Sequence, residues 1–214
     1  MSGALAAAGG SQALWFVSRA SGLVLLALFS AVVVLGVATR TGASPRGLPR
    51  FGVAELHRTL SLFALALLAL HVLTAILDPY VTIGWAAAII PFTSHYRTVA
   101  IGIGALALDL AAAIVITSVI RQHIGYRAWR TVHWLAYLLW PVAFIHSLGA
   151  GNDYRTWWAA LVVWGSGAAV ATSVGARLFS SLGRRPEHEA EPDAVLRSGR
   201  ANSHERAEVG SSSQ

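Results

Sequence analysis

Five apolar stretches constrain the fold of this chain more than any other feature. Each is close to the roughly 20 residues that a helix needs to cross a bilayer. They cover residues 14–38, 55–77, 98–120, 127–148 and 157–179. Only 12% of the residues are charged, about half the share in a typical soluble domain. We therefore predict an all-α membrane protein, a bundle of about five transmembrane helices.

The remaining segments define the predicted domain organisation. An N-terminal tail, residues 1–13, precedes a transmembrane domain at 14–179. Residues 180–214 contain many charged and almost no large apolar side chains, so we predict a disordered cytoplasmic tail. The connection 78–97 contains the short apolar run 85–90, which is too short to span and is predicted to be interfacial or re-entrant.

The distribution of arginine predicts the orientation. All sixteen basic residues are arginine, and thirteen of them flank one predicted face of the bundle against two on the other. By the positive-inside rule, this places the N-terminus outside and the C-terminus in the cytoplasm. The net charge of +6 then reflects topology and lipid contact, and no nucleic-acid partner is expected. The lysine-free, alanine-rich composition is typical of a GC-rich bacterial gene, which predicts a bacterial plasma membrane.

Four of the eight histidines lie inside two predicted spans that run in the same direction. His57 and His71 are on the second span, and His133 and His146 are on the fourth. Ionisable residues within membrane spans are costly and usually functional. At 1.5 Å per residue, the two histidines of each span are about 21 and 19.5 Å apart along the axis. Two spans thus present histidines at two matched depths.

This arrangement predicts two stacked bis-histidine haems between the second and fourth spans. His57 would pair with His133 towards the cytoplasm, and His71 with His146 towards the outside. The chain has no cysteine, so the haems would be b-type and non-covalently held. On an ideal helix, His146 lies about 140° from His133, and a kink at Pro141 is expected to change that phase. The alternative for any one histidine is an interhelical hydrogen bond.

The sequence around the histidines resembles the ferric reductase-like transmembrane domain family. The similar motifs are WRTVHW around His133, WPVAFIHSLG around His146, and ELHRTLSLFALALLALH, which carries His57 and His71. The segment 105–153 looks like the small bacterial members. Ferric-chelate reductases, NADPH oxidase membrane domains and the haem subunit of the methionine sulfoxide reductase system belong to this superfamily. The resemblance implies that the four histidines are haem ligands.

The resemblance also implies a function, with alternatives. We expect a transmembrane b-type cytochrome that moves single electrons to an outer-face acceptor, either a ferric chelate or a periplasmic redox protein. The alternative is a quinol-oxidising haem subunit that serves a periplasmic reductase such as methionine sulfoxide reductase. A third hypothesis is a haem-free membrane protein whose histidines carry protons or metal ions. The polar tail is too short for a flavin or nicotinamide domain, so a flavoprotein partner or a quinol is expected to donate electrons.

Four further charged residues are candidates for supporting roles. Arg121, Arg127 and Arg130, between the third and fourth spans, would hold haem propionates or bind anionic lipid. Asp109 lies in the middle of the third span. It would be protonated, pair with Arg19, or relay a proton to a quinone.

Overall fold

The computed structural model describes most of the chain. The described residues are 2–42, 49–79, 81, 83–151 and 155–182. The chain divides into two compact units, Met1–Gly175 and Ala176–Gln214. Of the second unit, only the end of the last helix is described. The predicted disordered tail therefore lies outside the described residues, except for its first three positions.

All regular secondary structure in the described ranges is helical, as predicted. The helices are α1 (Ser2–Thr41), α2 (Arg50–Leu77), α3 (Gly84–Ile89), α4 (Thr98–Val119), α5 (Arg121–His133), α6 (Ala136–Ala150) and α7 (Trp157–Leu182). The short helix α3 lies in the connection that is predicted to be too short to span.

Four helices are long and apolar enough to cross a membrane. Their apolar portions are Gln12–Thr41, Arg50–Leu77, Thr98–Val119 and Trp157–Ser180. These portions confirm the first, second, third and fifth predicted spans to within a few residues. The first helix itself begins earlier than expected, at Ser2.

The fourth predicted span is broken into α5 and α6, which are bent by 45° relative to each other. The bend lies at Trp134 and Leu135, whereas Pro141 lies inside the continuous helix α6. We expected a kink at Pro141, and the structure has its bend six to seven residues earlier in the chain. Around the break, the Leu135 N–H donates to the Val132 carbonyl at 2.9 Å, which is a tighter turn than in an α-helix.

This tight turn reduces the difference in phase between the two histidines that flank it. The Leu138 N–H makes a second bond of the same type, to the Leu135 carbonyl at 3.0 Å. Such turns rotate the chain by about 120° per residue, against about 100° in an α-helix. The extra rotation moves His146 towards the azimuth of His133. Part of the change in phase that we expected from a kink at Pro141 is thus supplied by a short tight turn.

The helices that carry the histidines pack against α1 and α4. Helix α1 packs along α2, α4 packs along α6, and α1 also contacts α6. The connection after α3 folds back onto α4 at Phe92, which has a positive φ of 66°. The Phe92 ring lies where a Cβ of Gly102 would be, so this close approach requires glycine on α4.

Candidate functional site

Backbone carbonyls of α1 orient both histidines of α2. The Nδ1 atom of His57 lies 2.9 Å from the Val32 carbonyl oxygen. The Nδ1 atom of His71 lies 2.9 Å from the Ser18 carbonyl oxygen. A carbonyl oxygen can only accept a hydrogen bond, so Nδ1 carries the proton in both rings. Each ring is thereby left with an unprotonated Nε2, which is the form that ligates a metal.

Helix α4 orients His146 of α6 in the same way. The Nδ1 atom of His146 lies 2.8 Å from the Ala100 carbonyl oxygen. A hydrogen bond from the non-ligating ring nitrogen usually accompanies a metal-ligating histidine, because it fixes the tautomer and the ring orientation. Three of the four predicted haem ligands therefore have the Nδ1 hydrogen bond that is typical of metal-ligating histidines.

His71 and His146 face each other across the bundle. Their ring centroids are 6.4 Å apart, and their planes are inclined by 79°. Imidazole nitrogens bind metal ions at about 2.0–2.1 Å. Since a ring nitrogen lies about 1.2 Å from the ring centre, two imidazoles on opposite sides of one ion have centroids about 6.4 Å apart. The observed separation equals that of a bis-imidazole metal centre and also lies within the range of about 4.5–7 Å for ordinary edge-to-face ring pairs.

Both rings of this pair line a cavity of about 230 Å³. The cavity is also lined by apolar side chains of α1, α2 and α4, among them Leu26, Leu68 and Leu108. Its surroundings are therefore suited to an apolar cofactor that is held by two imidazoles.

His133 is held differently from the other three histidines. Its ring stacks on Trp129 with centroids 5.0 Å apart and planes inclined by 29°. Its Nδ1 atom is buried and has no hydrogen-bond partner in the part of the chain that the structure describes. His57 and Arg40 are the ionisable side chains close enough to act electrostatically on the ring. The pairing of His133 with His57 stays a prediction, and no hydrogen bond from a described residue anchors the His133 ring.

The donor set fits haem iron better than an isolated metal ion. Across the described ranges, no cluster of three or more His, Asp or Glu residues is arranged to hold a metal ion. Two imidazoles do not complete the four-ligand shell of a structural zinc site. A porphyrin supplies four nitrogens of its own and leaves two axial positions for histidine. Two facing imidazoles with free Nε2 atoms meet that requirement.

The other predicted residues do not line the cavity. Arg121, Arg127 and Arg130 are exposed on α5. Asp109 is exposed in the middle of α4 and makes no hydrogen bond or ion pair with any described residue. The proposed pairing of Asp109 with Arg19 is therefore absent from the structure.

Two arginines of α1 lie near the histidines and were missed as site residues. The Arg19 guanidinium lies over the Trp15 ring, 4.7 Å from its centroid, and Arg19 lines the cavity. The Arg40 guanidinium lies over the Trp134 ring at 5.3 Å, within electrostatic reach of His133. No pattern in the sequence connects α1 to these positions, because the contacts arise only when the helices pack.

The fold and the site define a multi-pass membrane protein. Residues 21–144, more than half of the chain, match the family described as ferric reductase like transmembrane component. The chain belongs to this family, as its motifs predict. The match includes His57, His71 and His133 and ends two residues before His146. Membership indicates a role in electron transfer within the lipid bilayer. No curated protein and no solved structure matches the chain.

Proposed function

We propose that this chain is a transmembrane b-type cytochrome that binds two haems, one at each histidine pair. The observation that carries the proposal is the 6.4 Å separation of the His71 and His146 rings. Both rings donate Nδ1–H to a backbone carbonyl and leave Nε2 free. The proposal extends to His57, which shares α2 with His71, and to His133, which ends α5, the other half of the broken span that carries His146.

Each part of the site has a defined role in this proposal. Haem, when bound, supplies a reversible one-electron couple. His71 and His146 would hold the haem through their Nε2 atoms and would keep oxygen and substrates away from its iron. Their bonds to Ser18 and Ala100 hold the rings in one orientation, which limits reorganisation when the charge changes. The apolar lining excludes water, and Arg19 would hold a propionate.

The proposed haem-binding role of His57 and His133 is supported by one anchored ring, that of His57. His57 is fixed by the Val32 carbonyl. His133 is held by stacking on Trp129, and its buried Nδ1 has no partner among the described residues. Arg40 supplies positive charge near His133 and would hold a propionate together with the predicted α5 arginines.

The direction of electron flow follows from the proposed topology. We place the chain in a bacterial plasma membrane, with the thirteen-arginine face in the cytoplasm. The His57–His133 pair then lies towards the cytoplasm, and the His71–His146 pair lies towards the outside. Electrons would enter from a quinol or a partner flavoprotein. They would leave to a ferric chelate or a periplasmic redox protein.

Haem content tests the proposal directly. The full-length protein, purified in detergent, is expected to show low-spin b-type bands in a dithionite-reduced minus oxidised spectrum, with two haems per chain. His71→Ala should reduce the content to one haem. His95→Ala is the control, because His95 is exposed in the connection before α4 and belongs to neither pair. Wild-type protein without haem would contradict the proposal and favour the proton- or metal-carrying alternative.

A further inference from the structure

Each of the three anchored histidines contacts a glycine of the helix that anchors it. In every case, an imidazole atom lies 2.5–3.3 Å from the place where the glycine would carry a Cβ. The contacts are Gly22 with His71, Gly36 with His57, and Gly104 with His146.

The three glycines also share a position relative to the hydrogen-bond acceptor. Each lies four residues after the residue whose carbonyl accepts the Nδ1–H bond. The acceptor and glycine positions are Ser18 and Gly22, Val32 and Gly36, and Ala100 and Gly104. One local arrangement is thus used three times, on two different helices.

Helix geometry explains why the fourth residue matters. In an α-helix, the N–H of residue i+4 donates to the carbonyl of residue i, and that oxygen keeps a second lone pair. The side chain of residue i+4 leans towards the N-terminus and covers this turn. A glycine at i+4 therefore leaves the carbonyl open to an imidazole from a neighbouring helix.

The three contacts differ in how closely the ring approaches. A Cβ on Gly104 would lie 2.5 Å from Cε1 and 2.6 Å from Nδ1 of His146. A Cβ on Gly22 would lie 3.0 Å from Cε1 of His71, and one on Gly36 would lie 3.3 Å from its histidine. Distances below 3.4 Å are tighter than ordinary van der Waals contact, so an added methyl would push each ring away from its acceptor.

The fourth histidine provides an internal comparison. His133 contacts no glycine in this way within the described ranges, and it is the histidine whose Nδ1 has no partner there. A glycine in a helix does not by itself imply such a contact, because Gly165 and Gly175 of α7 have nothing within 4 Å of a Cβ.

We infer that Gly22, Gly36 and Gly104 are positioning residues. By lacking a side chain, each opens a carbonyl that fixes the tautomer and direction of one imidazole. The inference rests on the proposed function for its haem readouts, although the tautomer itself is measurable without haem. According to this inference, a histidine can be anchored by the carbonyl of residue i only when residue i+4 of the same helix is glycine.

Alanine substitution separates this role from an ordinary structural one. Alanine is a better helix former than glycine, so helix propensity alone predicts equal or higher stability. We expect Gly104→Ala to lower the haem content from two to one per chain, while helicity and gel-filtration behaviour are retained. Gly165→Ala is the matched control in an open position, and it should keep two haems.

Gly22→Ala tests the milder contact. Here we expect the haem to remain, with a shifted electron paramagnetic resonance signal, because the signal of a ferric bis-imidazole centre depends on the angle between the rings. If Gly104→Ala cannot be recovered folded, this variant decides the question for the same pair. An unchanged signal from Gly22→Ala would then overturn the inference.

The outcomes distinguish the inference from the proposed function. Haem-binding wild-type protein with an unaltered Gly104→Ala variant overturns the inference alone. Wild-type protein without haem overturns the proposed function. In that case, the ¹⁵N chemical shifts of His146 still test the inference, because they report which ring nitrogen is protonated. We expect the Nδ1–H form in wild-type protein and its loss in Gly104→Ala. An unchanged tautomer would contradict the positioning role.

Discussion

His71 and His146 face each other with ring centroids 6.4 Å apart and planes inclined by 79°. The steep angle has a structural origin. The ring of His71 is fixed by the Ser18 carbonyl of α1, and the ring of His146 is fixed by the Ala100 carbonyl of α4. Because two different helices set the two rings, nothing forces their planes to be parallel.

This angle predicts a spectroscopic property of the His71–His146 pair. Ferric centres with nearly perpendicular axial imidazoles give a strongly anisotropic low-spin electron paramagnetic resonance signal, whereas parallel rings give a rhombic one. We expect the anisotropic signal in the oxidised protein. His146→Ala should remove it, and His95→Ala should leave it unchanged. Purely rhombic signals from a protein with two haems would contradict the orientation of these rings.

The unanchored ring of His133 predicts that the two pairs hold haem with different strength. His57 donates to the Val32 carbonyl, but Nδ1 of His133 has no partner among the described residues. Loss of such a supporting hydrogen bond typically costs about 10–100-fold in metal affinity. We therefore expect haem at the His57–His133 pair to dissociate first.

Two single-haem variants measure this difference. His71→Ala leaves only the His57–His133 pair, and His57→Ala leaves only the His71–His146 pair. Transfer of the remaining haem to excess apomyoglobin gives a dissociation rate for each variant. The rate should be about tenfold or more faster in His71→Ala. Equal rates, or slower loss from His71→Ala, would contradict the prediction.

The hydrogen bond between Trp140 and Ser30 is the basis of a stability prediction. The indole N–H of Trp140 on α6 donates to the Ser30 hydroxyl on α1 at 2.8 Å. Such interhelical bonds in membranes contribute about 0.6 kcal/mol on average. Trp140→Phe and Ser30→Ala should therefore each lower the free energy of unfolding, and a double-mutant cycle should give a coupling of about 0.6 kcal/mol.

Unfolding in sodium dodecyl sulfate, followed by circular dichroism, would measure this coupling. Trp164→Phe is a suitable control because it is the same substitution at a tryptophan that contacts Phe144, with ring centroids 6.0 Å apart, whereas the Ser30 hydroxyl accepts from Trp140. A cycle between Trp164→Phe and Ser30→Ala should show no coupling. If the Trp140 and Ser30 effects are also additive, the hydrogen bond does not link α1 to α6.

The sequence predicts the relative orientation of the two histidines on α2 better than that of His133 and His146. His57 and His71 are fourteen positions apart on one continuous helix, so an ideal 100° rotation places them on one face. The position of His146 relative to His133 depends on the tight turn and the 45° bend at Trp134 and Leu135. No residue pattern in the sequence marks that turn. The sequence instead predicts the bend at Pro141, which lies inside the continuous helix α6.

The contacts between the glycines and the histidines also cannot be predicted from the sequence of one helix alone. Glycine is frequent in transmembrane helices, so Gly22 and Gly36 look like ordinary packing positions until α1 is placed beside α2. The relation between Gly104 and His146 requires the packing of α4 on α6. These residues share no local pattern with the histidines that they serve, and only tertiary structure brings them together.

The arginine distribution predicts a cytoplasmic C-terminus, which determines the direction of electron flow. Thirteen arginines flank one predicted face of the bundle and two flank the other, and such an excess marks the cytoplasmic side. A reporter that is active only in the cytoplasm should therefore work when it is fused after Gln214. Fused after Gly151, at the end of α6, the same reporter should be inactive, because that connection would lie outside. The reverse pattern in stably inserted fusions would invert the orientation and place the His71–His146 pair at the cytoplasmic face.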